Sequence, residues 1–105
     1  MTFEKLKETY AHLVTEWAAR NKYVITDHTT DIIISILLHR DKIINNGGSF
    51  VQAFMANNLH DVIRFADNEV MANLRTIFQA YHNIDTYYQA KAFKDALEKE
   101  NQTQL

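Results

Sequence analysis

The sequence contains no cysteine and no proline, and its only two glycines, Gly47 and Gly48, are adjacent. Without cysteine the chain has no disulfide, thiolate metal site or cysteine nucleophile, which favours a reducing compartment such as the cytoplasm. Without proline, and with a single glycine pair, few positions are able to interrupt a helix. These absences favour an all-α protein that is stabilised by packing alone.

The sequence also has little net charge and no long apolar run. Its formal charge of −2 over 105 residues creates no overall field that would draw it to phosphate backbones or anionic membranes. No window approaches 18 uninterrupted apolar residues, and the first eight residues are mostly charged or polar, so we expect neither a membrane span nor a secretory signal. We therefore expect one domain over residues 1–105, with no membrane partner.

Apolar residues recur at steps of three and four along most of the chain, which predicts a compact bundle of four main helices and one short helix. Polar residues mark the expected helix starts: Thr2, Ser49 in a capping box with Gln52, and Asn58. Gly47 is the expected stop of the second helix. The predicted helices cover about 3–20, 26 or 29 to 45, 49–57 (the short helix), 58–82 and 86–99, followed by a frayed tail at 101–105.

The predicted core comes from the centre of each apolar stripe. Its members are Leu6, Leu13, Trp17, Ile33, Leu37, Phe54, Ile63, Leu74, Phe78 and Phe93. In the last helix the expected inward residues are Tyr88, Ala92, Phe93, Ala96 and Leu97. Ile32, Ile33 and Ile34 are consecutive, and three such residues cover most of a helix circumference, so the second helix should be central or partly buried against another chain.

The surplus of apolar and aromatic residues suggests a surface for another protein. Tyr87 and Tyr88 are adjacent on a predicted helix, so both cannot face one core, and tyrosine suits interfaces. We therefore predict that Ile32, Ile34, Ile36, Tyr87 and Tyr88 bind a partner protein, such as a second copy in a homodimer. The expected function is a small non-enzymatic interaction module: an adaptor, assembly factor or inhibitor.

The five histidines provide an alternative, a metal-dependent or hydrolytic enzyme. Glu8, His12 and Glu16 are four residues apart and lie along one edge of the first helix, but opposite its apolar stripe, where a solvated charged face is expected. His60 and Asp61 are adjacent, as in some metal phosphohydrolases, but they lie in a first helical turn, where Asp61 complements the helix dipole. We therefore predict no metal, no cofactor and no catalytic residue, and an exposed His12.

The second alternative is a nucleic-acid-associated regulator. Lys91, Lys94 and Lys99 are the densest basic set, but Asp95 and Glu98 lie among them, as on a charge-balanced solvated face. Phosphate-binding loops and the common nucleophile and zinc motifs are absent from the sequence. Protein binding therefore remains the function that the sequence favours.

Overall fold

The computed structural model describes residues 1–103, with side chains through Asn101, and these residues form seven α-helices and no strand. The all-α class is confirmed, whereas the predicted number of helices is too small. The helices are α1 (Phe3–Arg20), α2 (Asp27–Arg40), α3 (Ser49–Met55), α4 (Leu59–Phe65), α5 (Asn68–Ala72), α6 (Leu74–Asn83) and α7 (Tyr87–Thr103).

Helix α2 is the centre of the fold. It packs against α1, α3 and α6, while α4 packs on α3, α7 packs on α1 and α5 packs on α6. The isoleucine-rich segment is therefore enclosed within the monomer, which is one of the two outcomes that its composition allows. Its buried residues are Thr29, Ile33, Ile34, Ile36, Leu37 and Leu38.

Helices α1, α2 and α3 end in left-handed residues that are not glycine. Lys22, Lys42 and Asn57 have φ near +60°, and the residue after each donates its amide to a carbonyl five residues back. This is the Schellman arrangement, which glycine usually forms. The prediction that Gly47 stops the second helix is therefore wrong: α2 ends at Arg40 because Lys42 turns the chain.

The predicted helix over residues 58–82 is wrong, because that segment forms α4, α5 and α6. Asn58 caps α4 as expected, accepting the Asp61 amide at 3.2 Å. The backbone is extended at Ala66, and the Asp67 carboxylate then caps α5 by accepting the Val70 amide at 2.8 Å. Asn73 provides a second break before α6. The apolar residues of this segment keep the same helical period across both breaks, so the period did not reveal either of them.

These breaks change which residues are buried. Ile63 and Phe78 are 53% and 54% exposed, so their assignment to the core is wrong; α4 buries Val62 instead, and α6 buries Ile77 and Ala80. The other eight predicted core residues are buried or pack partly buried against the core. The buried ones are Leu6, Trp17, Ile33, Leu37 and Phe93, and the partly buried ones are Leu13, Phe54 and Leu74.

The start of α3, and the length and buried face of α7, also differ from expectation. Gly48, not Ser49, is the N-cap of α3, and no side chain caps that helix. Helix α7 begins at Tyr87 and buries Ala90 and Phe93, leaving Tyr88 exposed. It continues to Thr103, beyond the expected end near residue 99, and residues 104–105 of the expected frayed tail lie outside the described residues.

A mostly buried hydrogen-bond network joins four of the helices. The Asp41 carboxylate accepts hydrogen bonds from the Tyr10 hydroxyl at 2.7 Å, the Arg40 Nε at 3.0 Å and the Thr86 hydroxyl. Arg40 also donates to the Thr86 hydroxyl at 2.7 Å and to the Tyr81 carbonyl at 2.6 Å. Burial, and then the hydrogen bond to Asp41, raise the pKa of Tyr10 well above its usual value.

Adjacent residues on α6 test the observed breaks. Ile77→Ala should lower the free energy of unfolding by about 2 to 5 kcal/mol, because Ile77 is fully buried. Phe78→Ala should lower it by no more than about 1 kcal/mol, because half of that side chain already contacts solvent. Urea unfolding measures both values. Equal losses for the two variants would contradict the observed breaks and support a single long helix over residues 58–82.

The Asp41 network predicts an alkaline loss of stability. Tyr10→Phe should cost about 1 to 3 kcal/mol near neutral pH, because Asp41 loses a buried donor. The raised pKa of folded Tyr10 stabilises the fold below the unfolded pKa near 10, and this contribution is lost as the pH rises. The difference between wild type and variant in urea unfolding should therefore stay constant up to about pH 9 and shrink as the pH rises above about 10. A difference in the free energy of unfolding that stays constant at all alkaline pH values would contradict this prediction.

Candidate functional site

Exposed apolar side chains concentrate on one region of the chain, α4 to α6. An ordinary monomer leaves single apolar residues on its surface, but a group of them marks an interaction site or a ligand groove. Five large apolar residues are exposed within this short segment. They are Leu59, Ile63, Phe65, Met71 and Phe78.

A groove of about 670 Å³ lies between α3, α4 and α6, and two of these exposed residues line it. We call it the α3–α6 groove. Its lining is mainly aliphatic and aromatic, with three polar residues. The lining residues are Phe54, Met55, Asn57, Leu59, Val62, Leu74, Arg75, Phe78, Tyr81 and His82.

Aromatic contacts connect the walls of the α3–α6 groove. The Phe54 ring on α3 meets the Tyr81 ring on α6 edge to face, with centroids 5.5 Å apart. Toward solvent, the Phe78 and His82 rings lie 4.4 Å apart. Phe54 and Tyr81 are partly buried against the core, whereas Phe78 and His82 are exposed. The first pair therefore lies deeper in the molecule than the second.

The inner end of the groove is held by the Asp41 network. Arg40 donates to the Tyr81 carbonyl at 2.6 Å, and its guanidinium lies 5.9 Å from the centre of the Tyr81 ring. Tyr81 is thus fixed through both its backbone and its ring. The groove has one wall anchored to the core and side chains open to solvent.

The groove lining carries one fixed positive charge. Arg75 supplies it, His82 lies in the same lining, and no carboxylate is among the lining residues. Within the part of the chain that the structure describes, the Arg75 side chain forms no hydrogen bond, ion pair or ring contact. A negatively charged group would therefore find an unpaired guanidinium beside apolar side chains.

The residues predicted to bind a partner are divided by the fold. Ile34 and Ile36 are buried within the monomer, so the expectation that they form part of an exposed surface is wrong. Ile32 is partly buried beside a different depression from the one that Tyr87 borders. Tyr87 and Tyr88 are both exposed, with rings 5.4 Å apart. The structure therefore does not bring the two halves of the predicted surface together.

The histidines and carboxylates that were weighed as metal ligands lie on the surface of α1 and α4. His12 is exposed, as predicted, and its Nε2 lies 3.7 Å from Glu16, whereas Glu8 pairs with Lys5 at 3.8 Å. His60 is exposed at the start of α4. The three α1 residues that were weighed as an alternative metal edge are therefore divided between two separate surface pairs.

One group that the sequence analysis missed has donor atoms close enough to hold a cation. His28 Nε2 lies 2.9 Å from Asp67 and 3.9 Å from Glu69, and the three donor atoms lie within 4.8 Å of one another. Asp67 also caps α5, and an amide hydrogen bond from Val70, followed by the one with His28, lowers its pKa. Ion pairing and capping explain this cluster, and its side chains are largely exposed.

The basic residues of the last helix are charge-balanced at one point. Lys91 Nζ lies 2.7 Å from Asp95, and this hydrogen bond raises the pKa of the lysine. The pairing follows the i, i+4 spacing of a solvated helix face.

No helix among the described residues is both long enough and apolar enough to cross a membrane.

No protein-family model, curated protein or solved structure matches this chain.

Asp67→Asn tests the contact between α2 and α5. Asparagine also accepts the capping amide, so the variant should lose mainly the charge interaction with His28. Because folded Asp67 has a lowered pKa, its contribution to stability is present above its unfolded pKa of 3.8 and is lost as the pH falls through the lower folded value. Wild type should melt higher than the variant near about pH 6, and the two should converge near about pH 2. A difference in melting temperature that persists at about pH 2 would contradict this prediction.

Proposed function

We propose that this protein is a non-enzymatic interaction module whose α3–α6 groove binds apolar side chains of a partner protein. The observation that carries the proposal is the groove itself, about 670 Å³ of mainly aromatic and aliphatic surface. Exposed apolar clusters of this kind usually become buried in an interface. Adaptors, assembly factors and inhibitors all act through such surfaces.

The extent of the apolar surface favours a protein over a small ligand. Leu59 and Ile63 are four residues apart, so they lie on one side of α4 and extend the apolar surface beyond the groove. Small-molecule sites bury most of their ligand, whereas Leu59 is 68% exposed. A partner helix or loop would cover both the groove and this extension.

The rigidity of the inner wall also supports the proposal. Tyr81 is fixed by Arg40, so part of the binding surface is organised before a partner arrives. A surface that needs less ordering on binding loses less conformational entropy. A cytoplasmic location suits such a module, because the sequence has no cysteine to protect or oxidise.

The test compares lysine substitutions inside and outside the groove. Leu59→Lys and Phe78→Lys each place a charge in the groove, whereas Tyr88→Lys places the same charge on an exposed aromatic position outside it. Each variant is immobilised, and the proteins retained from an extract of the native host are quantified by mass spectrometry. A specific partner should be retained by wild type and Tyr88→Lys, and at least about tenfold less by the groove variants.

Circular dichroism melting controls for folding, since both groove positions are mainly exposed and should tolerate lysine. Equal retention by wild type and the folded groove variants would contradict the proposal. Loss with Tyr88→Lys and retention with Phe78→Lys would instead assign binding to the tyrosine pair that the sequence analysis selected.

A further inference from the structure

We infer that the partner segment is an acidic amphipathic helix that lies along α6, with its apolar face in the α3–α6 groove and carboxylates beside Arg75 and His82. This inference rests on the proposed function and specifies the chemistry of the partner. The juxtaposition of an apolar groove with the unpaired Arg75 guanidinium and the His82 imidazole on one edge carries it.

The two basic residues that line the groove have a regular spacing. Arg75 and His82 are seven residues apart on α6, so they project within about 20° of each other and are separated by two helical turns. Phe78 lies between them on the same edge, and both flanking residues line the groove. A partner helix with two carboxylates seven residues apart would place one beside the Arg75 guanidinium and the other beside the His82 imidazole, whose ring N–H can donate to it.

Charge complementarity points to carboxylates in particular. The groove lining contains Arg75 and His82 and no acidic residue, although the whole chain has a net charge of −2. Arg75 makes no side-chain interaction with any described residue. An acidic partner would pair this guanidinium, whereas a basic partner would meet like charge.

The groove favours a helix over an extended segment. Its walls are side chains of three helices, and its polar lining consists of Asn57, Arg75 and His82. An extended segment would bury backbone amides and carbonyls without partners, which is costly. A helix satisfies these groups internally and presents apolar residues at i, i+3 or i+4, and i+7.

The length of the groove fits this occupant. The lining residues of α6 extend from Leu74 to His82, a rise of about 12 Å, or slightly more than two turns. Three apolar anchors over two turns would fill that length. The opposite wall, from Met55 on α3 and Leu59 on α4, would contact the far side of the same apolar face.

A second copy of this chain is a less suitable occupant. A symmetric dimer that pairs groove with groove would bring Arg75 and His82 of each copy toward the same residues of the other. The acidic residues Glu4, Glu8 and Glu16 lie on α1, but most apolar residues of that helix are buried or partly buried within its own monomer. Sedimentation equilibrium identifies this occupant if it forms.

The experiment uses a yeast-displayed library of helical peptides of about 16 residues, long enough to form helix on binding. Leucine is fixed at the anchor positions, and the flanking positions vary among glutamate, lysine, glutamine and alanine. The library is selected against wild type, Arg75→Glu, Phe78→Lys and Arg64→Glu. Arg64 is exposed on α4 outside the groove lining, so Arg64→Glu is matched in charge.

Wild type and Arg64→Glu should enrich glutamate over lysine at the flanking positions by about tenfold, and less at high salt, because exposed ion pairs are screened. Arg75→Glu should reverse the preference at the position that faces it, and Phe78→Lys should abolish selection. The reversal is informative because simple unfolding would remove binding without exchanging the preferred charge.

Three outcomes would overturn the inference. Equal enrichment of glutamate and lysine, with binding still lost in Phe78→Lys, would leave the proposed function intact and remove the acidic partner. An absence of enrichment, while a groove-dependent partner is retained in the extract experiment, would exclude this helix but not the function. A concentration-dependent dimer that Phe78→Lys dissociates would assign the groove to a second copy.

Discussion

The Asp41 carboxylate lies where α1, α2, α6 and α7 approach one another, and it receives hydrogen bonds from Tyr10, Arg40 and Thr86. Arg40 extends the connection to the Tyr81 carbonyl at the end of α6. A mostly buried ion pair is favourable only when its remaining donors and acceptors are satisfied. Here they are: no buried side-chain nitrogen or oxygen among the described residues lacks a hydrogen-bond partner. The relative positions of the four helices are thus fixed by directional contacts as well as by apolar packing.

This network also determines the character of the α3–α6 groove. Tyr81 belongs to both, since Arg40 contacts its carbonyl and its ring, and the Phe54 ring packs edge to face against that same ring. The opposite wall of the groove comes from α3 and α4, which have only seven residues each. Helices this short depend on tertiary packing for their stability. The groove therefore combines an anchored wall with a wall of short helices, which is a suitable arrangement for a surface that a partner completes.

Local signals in the sequence predicted the first helix accurately. Helix α1 begins after Thr2 and ends at Arg20 as predicted, because Thr2 accepts the Lys5 amide and the stripe continues without interruption. The end of α2 was missed because Lys42 adopts a left-handed conformation that lysine rarely takes. The groove was missed because it depends on the two breaks within residues 58–82. Asp67, a strong capping residue nine positions after Asn58, was the available signal for the first of them.

The sequence by itself determined the all-helical class, the first helix and most of the core. These properties follow from residue composition and from the period of apolar side chains, which are local. Only the tertiary structure decided the direction of α4, α5 and α6, the exposure of Ile63 and Phe78, and the burial of Ile34 and Ile36. The period of a stripe identifies one face of a helix but not what that face meets. Contacts such as Tyr10 with Asp41, 31 residues apart, and Arg40 with Thr86, 46 apart, depend on three-dimensional packing that no local spacing records.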